Sequence, residues 1–157
     1  MNEKERIEHA TVRLFLTMYN SAVGAAFEDP QMGDSPDATC SSPAGDVLNI
    51  EVTLTEDAHG GIAAALGRAS SQLPALGHRL DTDVFEQIKI RLEAKLSKRY
   101  GEATALVIRD SSGVGWDWND TGVRARMAEV LPPGSTNPYD KGIWVFSRDG
   151  RELFRLA

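Results

Sequence analysis

The sequence has little cysteine, no long apolar run and no obvious leader segment. Its one cysteine, Cys40, has no partner for an internal disulfide, which favours a reducing, cytoplasmic location. No apolar run approaches the length needed to cross a bilayer, and the N-terminus MNEKERIEH carries charges of both signs. We therefore predict neither a membrane segment nor a signal peptide. The histidines are scattered and lack metal-ligand spacing.

The composition is that of an ordinary globular protein, with 157 residues, 41% hydrophobic and 25% charged. This length predicts a single domain spanning 1–157. The net charge of -6 argues against a general nucleic-acid coat protein, but it is unevenly distributed. Residues 1–60 carry 11 acids and 3 Lys/Arg, whereas residues 61–157 carry 12 acids and 14 Lys/Arg. Such asymmetry either places a metal pocket beside a phosphate-facing surface or reflects solvation alone.

The apolar periodicity predicts a mixed α/β fold, in which helices flank a central mixed sheet. Helices are predicted at 3–20, 81–101 and 123–131, with a further short one at 62–69. Strands are predicted at 25–30, in a hairpin over 36–56, and at 103–110, 142–147 and 152–157. The strand at 103–110 is a continuous apolar run, which predicts a central position in the sheet.

The hairpin has a turn whose residues fix its register. Pro43-Ala44-Gly45 suits a three-residue loop, with proline at the first corner and glycine at the left-handed position. This register pairs Ala38 with Ile50 and Cys40 with Leu48 on an apolar face. On the opposite face it sets Asp37 across from Glu51 and Thr39 across from Asn49. A two-residue loop would instead set Asp37 across from Val52 and mix the two faces.

The opposed acids Asp37 and Glu51 need an explanation, because like charges directly across a sheet are destabilising. A divalent cation would offset the repulsion, since hard cations bind carboxylate oxygens. The alternative is that both acids are solvated on an open face or neutralised by a nearby arginine.

The predicted N-terminal helix is followed by strands, by Pro36-Asp37, and by the apolar strand that carries IEVT at 50–53. Downstream come a helix ending in LSKRYG, the strand ALVIRD and the late strand YDKGIWVF. This pattern resembles the PD-(D/E)xK nuclease superfamily, whose fold is restriction-endonuclease-like with an αβββαβ core.

The resemblance implies a role for each matching residue. Asp37 and Glu51 would bind Mg²⁺ or Mn²⁺ with help from the Val52 carbonyl, and the metal would promote phosphodiester cleavage. Helix 1 of this family often supplies another acid, for which Glu8 is the first candidate and Glu5 the second. Taken singly, each of these helix acids also fits an ordinary charge on an exposed helix face.

Position 53 departs from the family pattern, because Thr53 stands where the family has its lysine. Three interpretations remain open. The lysine has moved to the following helix, as Lys89 or Lys95; threonine is accepted and the metal does more of the work; or catalysis has been lost. Either lysine taken alone also fits a solvated helix face.

The leading functional hypothesis is a metal-dependent nuclease, with nucleic acid as its substrate. Its main rival is a catalytically inactive nuclease-like fold that acts as a binding or assembly module. A third hypothesis is an unrelated α/β interaction protein, which loses ground if the two carboxylates converge. We expect a homodimer or a partner protein to assist targeting, because one small domain offers little surface for substrate.

Overall fold

The computed structural model describes residues 1–55, 84–110, 120–147 and 150–157. Within these ranges the chain forms three helices and six strands. The helices are α1 (Glu3–Val23), α2 (Val84–Leu96) and α3 (Thr121–Ala128). The strands are β1 (Glu28–Met32), β2 (Ala38–Ser41), β3 (Val47–Leu54), β4 (Thr104–Arg109), β5 (Ile143–Phe146) and β6 (Leu153–Arg155).

All six strands belong to one mixed sheet, in which sequence order is also spatial order. β1, β2 and β3 form an antiparallel meander, β3, β4 and β5 run parallel, and β6 returns antiparallel to β5. Parallel neighbours need a crossover connection, and α2 and α3 lie in the two crossovers. The predicted mixed α/β class is confirmed, and so is the central position of β4.

The helices cover both faces of the sheet. α1 packs through Val12, Phe15 and Leu16 on the face that carries Ile50 and Val107. The opposite face has a second apolar cluster. This cluster joins α2 and α3 to β4 and β5; among its members are Phe85, Ile88, Leu92, Met127, Leu106, Ile108 and Val145. Because β4 is covered on both sides, all six of its residues are buried, as its continuous apolar run predicts.

The β2–β3 hairpin has the predicted register. Ala38 pairs with Ile50, Thr39 with Asn49 and Cys40 with Leu48. The loop also follows the prediction, since Gly45 has φ +90 and its N–H donates to the Ser42 carbonyl over 2.9 Å. Cys40 lies on the apolar face, where burial raises the pKa of its thiol to about 11. This agrees with its interpretation as a small core residue.

Element boundaries differ from the predictions where side chains intervene. β1 begins at Glu28 and not at residue 25, because the Asn20 amide bonds both the N–H and the carbonyl of Phe27 at the end of α1. α2 ends at Leu96, five residues before the predicted end at Gly101. There the Lys95 carbonyl accepts hydrogen bonds from the Lys98 N–H and from the Tyr139 hydroxyl, and the chain turns away.

Several predictions concern residues outside the described ranges. They are the short helix at 62–69 and the start of the second helix at 81–83. None of the described helices combines the length and hydropathy of a membrane-spanning segment.

Candidate active site

Asp37 and Glu51 lie together where β2 begins beside β3. The paired register of the hairpin ends at Ala38 and Ile50, and the next residue, Asp37, lies beside β3, where the Val52 N–H donates to its Oδ2 atom. The Asp37 side chain is half-buried, whereas Glu51, on the face of β3 that α2 covers, is only 4% exposed. The two carboxylates lie close enough for the charge of Asp37 to raise the pKa of Glu51, which counts against the hypothesis of an unrelated α/β interaction protein.

The main chain at Val52 faces the same place. Neighbouring residues of a strand point their N–H and carbonyl groups to opposite sides, and Thr55 donates its N–H to β4. By this alternation Val52 points its N–H and its carbonyl toward β2, and its N–H donates to Asp37 Oδ2 over 2.7 Å. The Val52 carbonyl thus lies on the side of the strand where Asp37 sits, as the predicted ligand set requires.

Glu51 is an acid in a poor environment for a charge. Burial raises the pKa of its carboxyl, and the neighbouring Asp37 raises it further, while the Lys95 ammonium and the Tyr100 hydroxyl act in the opposite direction. Its Oε1 atom is buried and has no hydrogen-bond partner within the described part of the chain. A buried carboxylate oxygen without a partner is costly, so a ligand that contacted Oε1 would stabilise this arrangement.

Lys95 reaches the site from α2. Its Nζ lies 3.6 Å from Glu51 Oε2, and its side chain is 18% exposed. Six helical residues rotate about 240° around the axis, so Lys89 projects from a different side of α2. Lys89 lines a separate cleft with Glu86 and with Arg126 and Glu129 from the α3 region. Of the two predicted lysines, the structure brings Lys95 and not Lys89 to the carboxylates.

Two tyrosines that the sequence analysis did not single out hold Lys95 in place. The Lys95 ammonium lies 3.3 Å from the Tyr100 hydroxyl and 5.8 Å from the centre of its ring. The buried Tyr139 packs against Tyr100 with ring centroids 5.4 Å apart, and its hydroxyl donates to the Lys95 carbonyl over 3.1 Å. No sequence spacing marks these residues, because Tyr100 comes into position only through the early end of α2.

The helix-1 acids are placed at the rim. Glu8 and Asp37 line one open cleft of about 350 Å³, and Glu8 also pairs with Lys4 at 3.6 Å. Glu5 lines the same cleft, but it serves a capping box, in which its carboxylate accepts from the Asn2 N–H over 2.7 Å. Glu8 therefore stays near Asp37, while Glu5 has a structural role at the start of α1.

Thr53, for which the sequence resemblance predicts a lysine, is half-buried on the same side of β3 as Glu51. Its hydroxyl supplies no positive charge, so in the described part of the site the cation next to Glu51 is that of Lys95. The charge expected on the strand is thus present on the neighbouring helix.

The donor set fits a hard divalent cation. It comprises two carboxylates and one main-chain carbonyl, and the unpartnered Glu51 Oε1 is an available ligand atom. Among the described residues no three His, Cys, Asp or Glu side chains converge as a ready-made cation cage. Mg²⁺ needs no such cage, because it commonly combines one or two carboxylates with waters and substrate phosphates. Asp37, Glu51 and Val52 are accordingly the residues that would hold it.

Comparison of the chain with known proteins gives no match to a family model, to a curated protein or to a solved structure.

Proposed function

We propose that this protein is a metal-dependent nuclease of PD-(D/E)xK type in which the lysine has moved from β3 to α2. The observation that carries the proposal is the contact of Lys95 with Glu51, which lies beside Asp37. Thr53, on the same strand as Glu51, supplies no positive charge. Two neighbouring acids, a main-chain carbonyl and an ammonium group are the parts that this chemistry needs; Asp37, Glu51 and Val52 are neighbours at β3, and Lys95 contacts Glu51 from α2. The substrate is nucleic acid.

The fold supports the same proposal. The succession of α1, the β1–β2–β3 meander, α2 and the parallel strand β4 follows the order of a restriction-endonuclease-like αβββαβ core. Asp37 precedes β2 and Glu51 lies within β3, the places where such a core carries its acids. A shared fold alone would not indicate a shared function, so the argument depends on the site.

In the proposed reaction, water is added across one P–O ester bond, which leaves a phosphate monoester and a hydroxyl. Asp37, Glu51 and the Val52 carbonyl would hold the metal, which when bound would activate water for the attack and stabilise the charge that develops on the phosphoryl group. The Lys95 ammonium supplies a fixed positive charge at the attacking and phosphoryl oxygens. Tyr100 orients that ammonium, and the packing of α2 shields Glu51 from bulk water.

A binding module without catalysis is the second candidate. It is favoured by Thr53 and by the ion pair, because a Lys95 that only neutralises Glu51 would need no metal at all. The two functions differ in what Lys95 is for: a catalytic cation in the first, and a counter-ion for a buried acid in the second.

Cleavage assays separate the two functions. Wild-type protein is incubated with single-stranded and duplex DNA and RNA in Mg²⁺ or Mn²⁺, beside Asp37→Asn, Glu51→Gln and the exposed control Glu93→Gln. If the protein is a nuclease, wild type and Glu93→Gln cleave, the two site variants do not, and EDTA abolishes cleavage. Cleavage that survives in both site variants would trace the activity to a contaminant and refute the proposal, as would its absence on every substrate.

A further inference from the structure

A second cleft opens beside the carboxylates, between the end of α2 and the start of β2. It has a volume of about 220 Å³, and its lining includes Pro36, Asn49, Arg99, Tyr100 and Thr104. The lining is mixed in polarity: a guanidinium and an amide adjoin an aromatic ring and a proline.

Three residues that line this cleft adjoin residues of the candidate active site. Pro36 directly precedes Asp37 in the chain, and Asn49 lies two residues before Glu51, so its side chain emerges on the same face of β3. Tyr100 forms part of the cleft wall and contacts the Lys95 ammonium. A nucleic-acid strand bound across the carboxylates would therefore place its next nucleotide in this cleft.

Arg99 is the unengaged cation in the cleft wall. It is exposed and makes no ion pair or hydrogen bond with any residue in the described ranges. By contrast, the Asn49 side chain is held, since it accepts from Thr39 and donates to the Glu102 carbonyl. An arginine on a structured wall offers a fork of N–H donors that matches phosphate oxygens.

We propose that this cleft binds the phosphodiester next to the one that is cleaved, with Arg99 as its phosphate ligand. The inference rests on the proposed function and assigns a substrate-binding residue to it. Charge complementarity identifies the occupant, because the Arg99 guanidinium, which has no charged partner among the described residues, attracts phosphate locally in a chain whose overall charge is -6. The shared chemistry is a sugar–phosphate strand, which DNA and RNA both provide.

The test measures binding without cleavage. Labelled single-stranded DNA and RNA of about 12 nucleotides are titrated in EDTA, with fluorescence anisotropy as the readout. The variant is Arg99→Met, with Arg6→Met as the matched control; Arg6 is an exposed arginine on α1 that lines neither this cleft nor the cleft beside Asp37. Arg99→Met is expected to weaken binding about tenfold. It should also reduce the slope of log affinity against log salt concentration by about one, which corresponds to the loss of one phosphate contact. Arg6→Met changes neither value.

Separate calorimetry with Mn²⁺ distinguishes the inference from the function it rests on. Normal Mn²⁺ binding by Arg99→Met together with weakened oligonucleotide binding supports the cleft. Equal oligonucleotide affinity and salt slope in Arg99→Met and wild type, or no nucleic-acid binding by wild type, would overturn it even if Mn²⁺ binds and cleavage occurs. If wild type neither binds Mn²⁺ nor cleaves, but its oligonucleotide binding still depends on Arg99, the nuclease function is refuted and the assignment of the cleft stands. Comparison of the affinities for the DNA and the RNA oligonucleotide shows which sugar, deoxyribose or ribose, the cleft prefers.

Discussion

The Lys95 ammonium of α2 lies 3.6 Å from Oε2 of Glu51 in β3, while the strand itself carries Thr53 two residues further on. A positive charge thus reaches the carboxylates from the helix that covers the sheet. Because the pair is mostly buried, replacing either partner will have effects that an exposed ion pair would not produce.

Lys95→Met is predicted to reduce single-turnover cleavage by about 10²–10³-fold, because it removes a fixed charge from the developing phosphoryl charge. Lys89→Met is predicted to cleave at nearly the wild-type rate, since Lys89 faces the α3 side of its helix. Rapid-quench assays with Mn²⁺ at saturation compare the two variants. An equal loss in both would mean that helix packing and not the Lys95 charge is responsible.

Glu51→Gln is predicted to stabilise the protein by about 1 kcal/mol at pH values above the raised pKa of the Glu51 carboxyl, because it removes a poorly compensated buried charge. The sign follows from the raised pKa of the Glu51 carboxyl. Above the ordinary value of 4.5 the folded state binds this proton more tightly than the unfolded state, so wild-type stability falls as pH rises through the raised pKa. Below 4.5 both states are protonated, and the advantage of glutamine disappears.

Urea unfolding at several pH values measures this difference, with Glu93→Gln as the exposed control. A stability gain that is equal at low and high pH would contradict an electrostatic origin. A loss of stability at high pH would mean that the ion pair with Lys95 outweighs the burial of Glu51.

Tyr100→Phe is predicted to shift the pH dependence of Mn²⁺ binding toward higher pH. The Tyr100 hydroxyl lowers the pKa of Glu51 from the value that burial and Asp37 would give, so its loss lets protons compete with the metal at higher pH. Calorimetric titrations across a pH series give the midpoint. An unchanged midpoint with slower cleavage would restrict Tyr100 to positioning Lys95.

Thr11→Val is predicted to lower the free energy of unfolding by about 1–3 kcal/mol, because the buried Arg109 guanidinium donates to the Thr11 hydroxyl over 2.6 Å. Thr17→Val is the matched control. Both threonines donate to the carbonyl four residues earlier on α1, but Thr17 is exposed. Thermal or urea unfolding distinguishes them, and equal losses would show that the helix carbonyl contact, not Arg109, is responsible.

The sequence was sufficient for those parts of the fold that depend on nearby residues. Pro43 and Gly45 set a turn, the turn set the register from Ser41 to Ala38, and that register brought Asp37 beside β3, near Glu51. The choice between Lys89 and Lys95 depended on the rotation of α2 against the sheet, which is decided by packing between distant residues. Tyr100 was missed for a related reason, because its position depends on where α2 ends and on the hydrogen bond from Tyr139.

The most direct test of the account is a calorimetric titration of Mn²⁺ into wild-type protein, Asp37→Asn and Glu51→Gln at about pH 8, because the raised pKa of the Glu51 carboxyl makes protons compete with the metal at lower pH. The account predicts one saturable site in wild type that both substitutions abolish, while circular dichroism shows that the variants remain folded. A folded wild type that binds no Mn²⁺, or a site that survives both substitutions, would contradict the assignment of Asp37 and Glu51 as metal ligands.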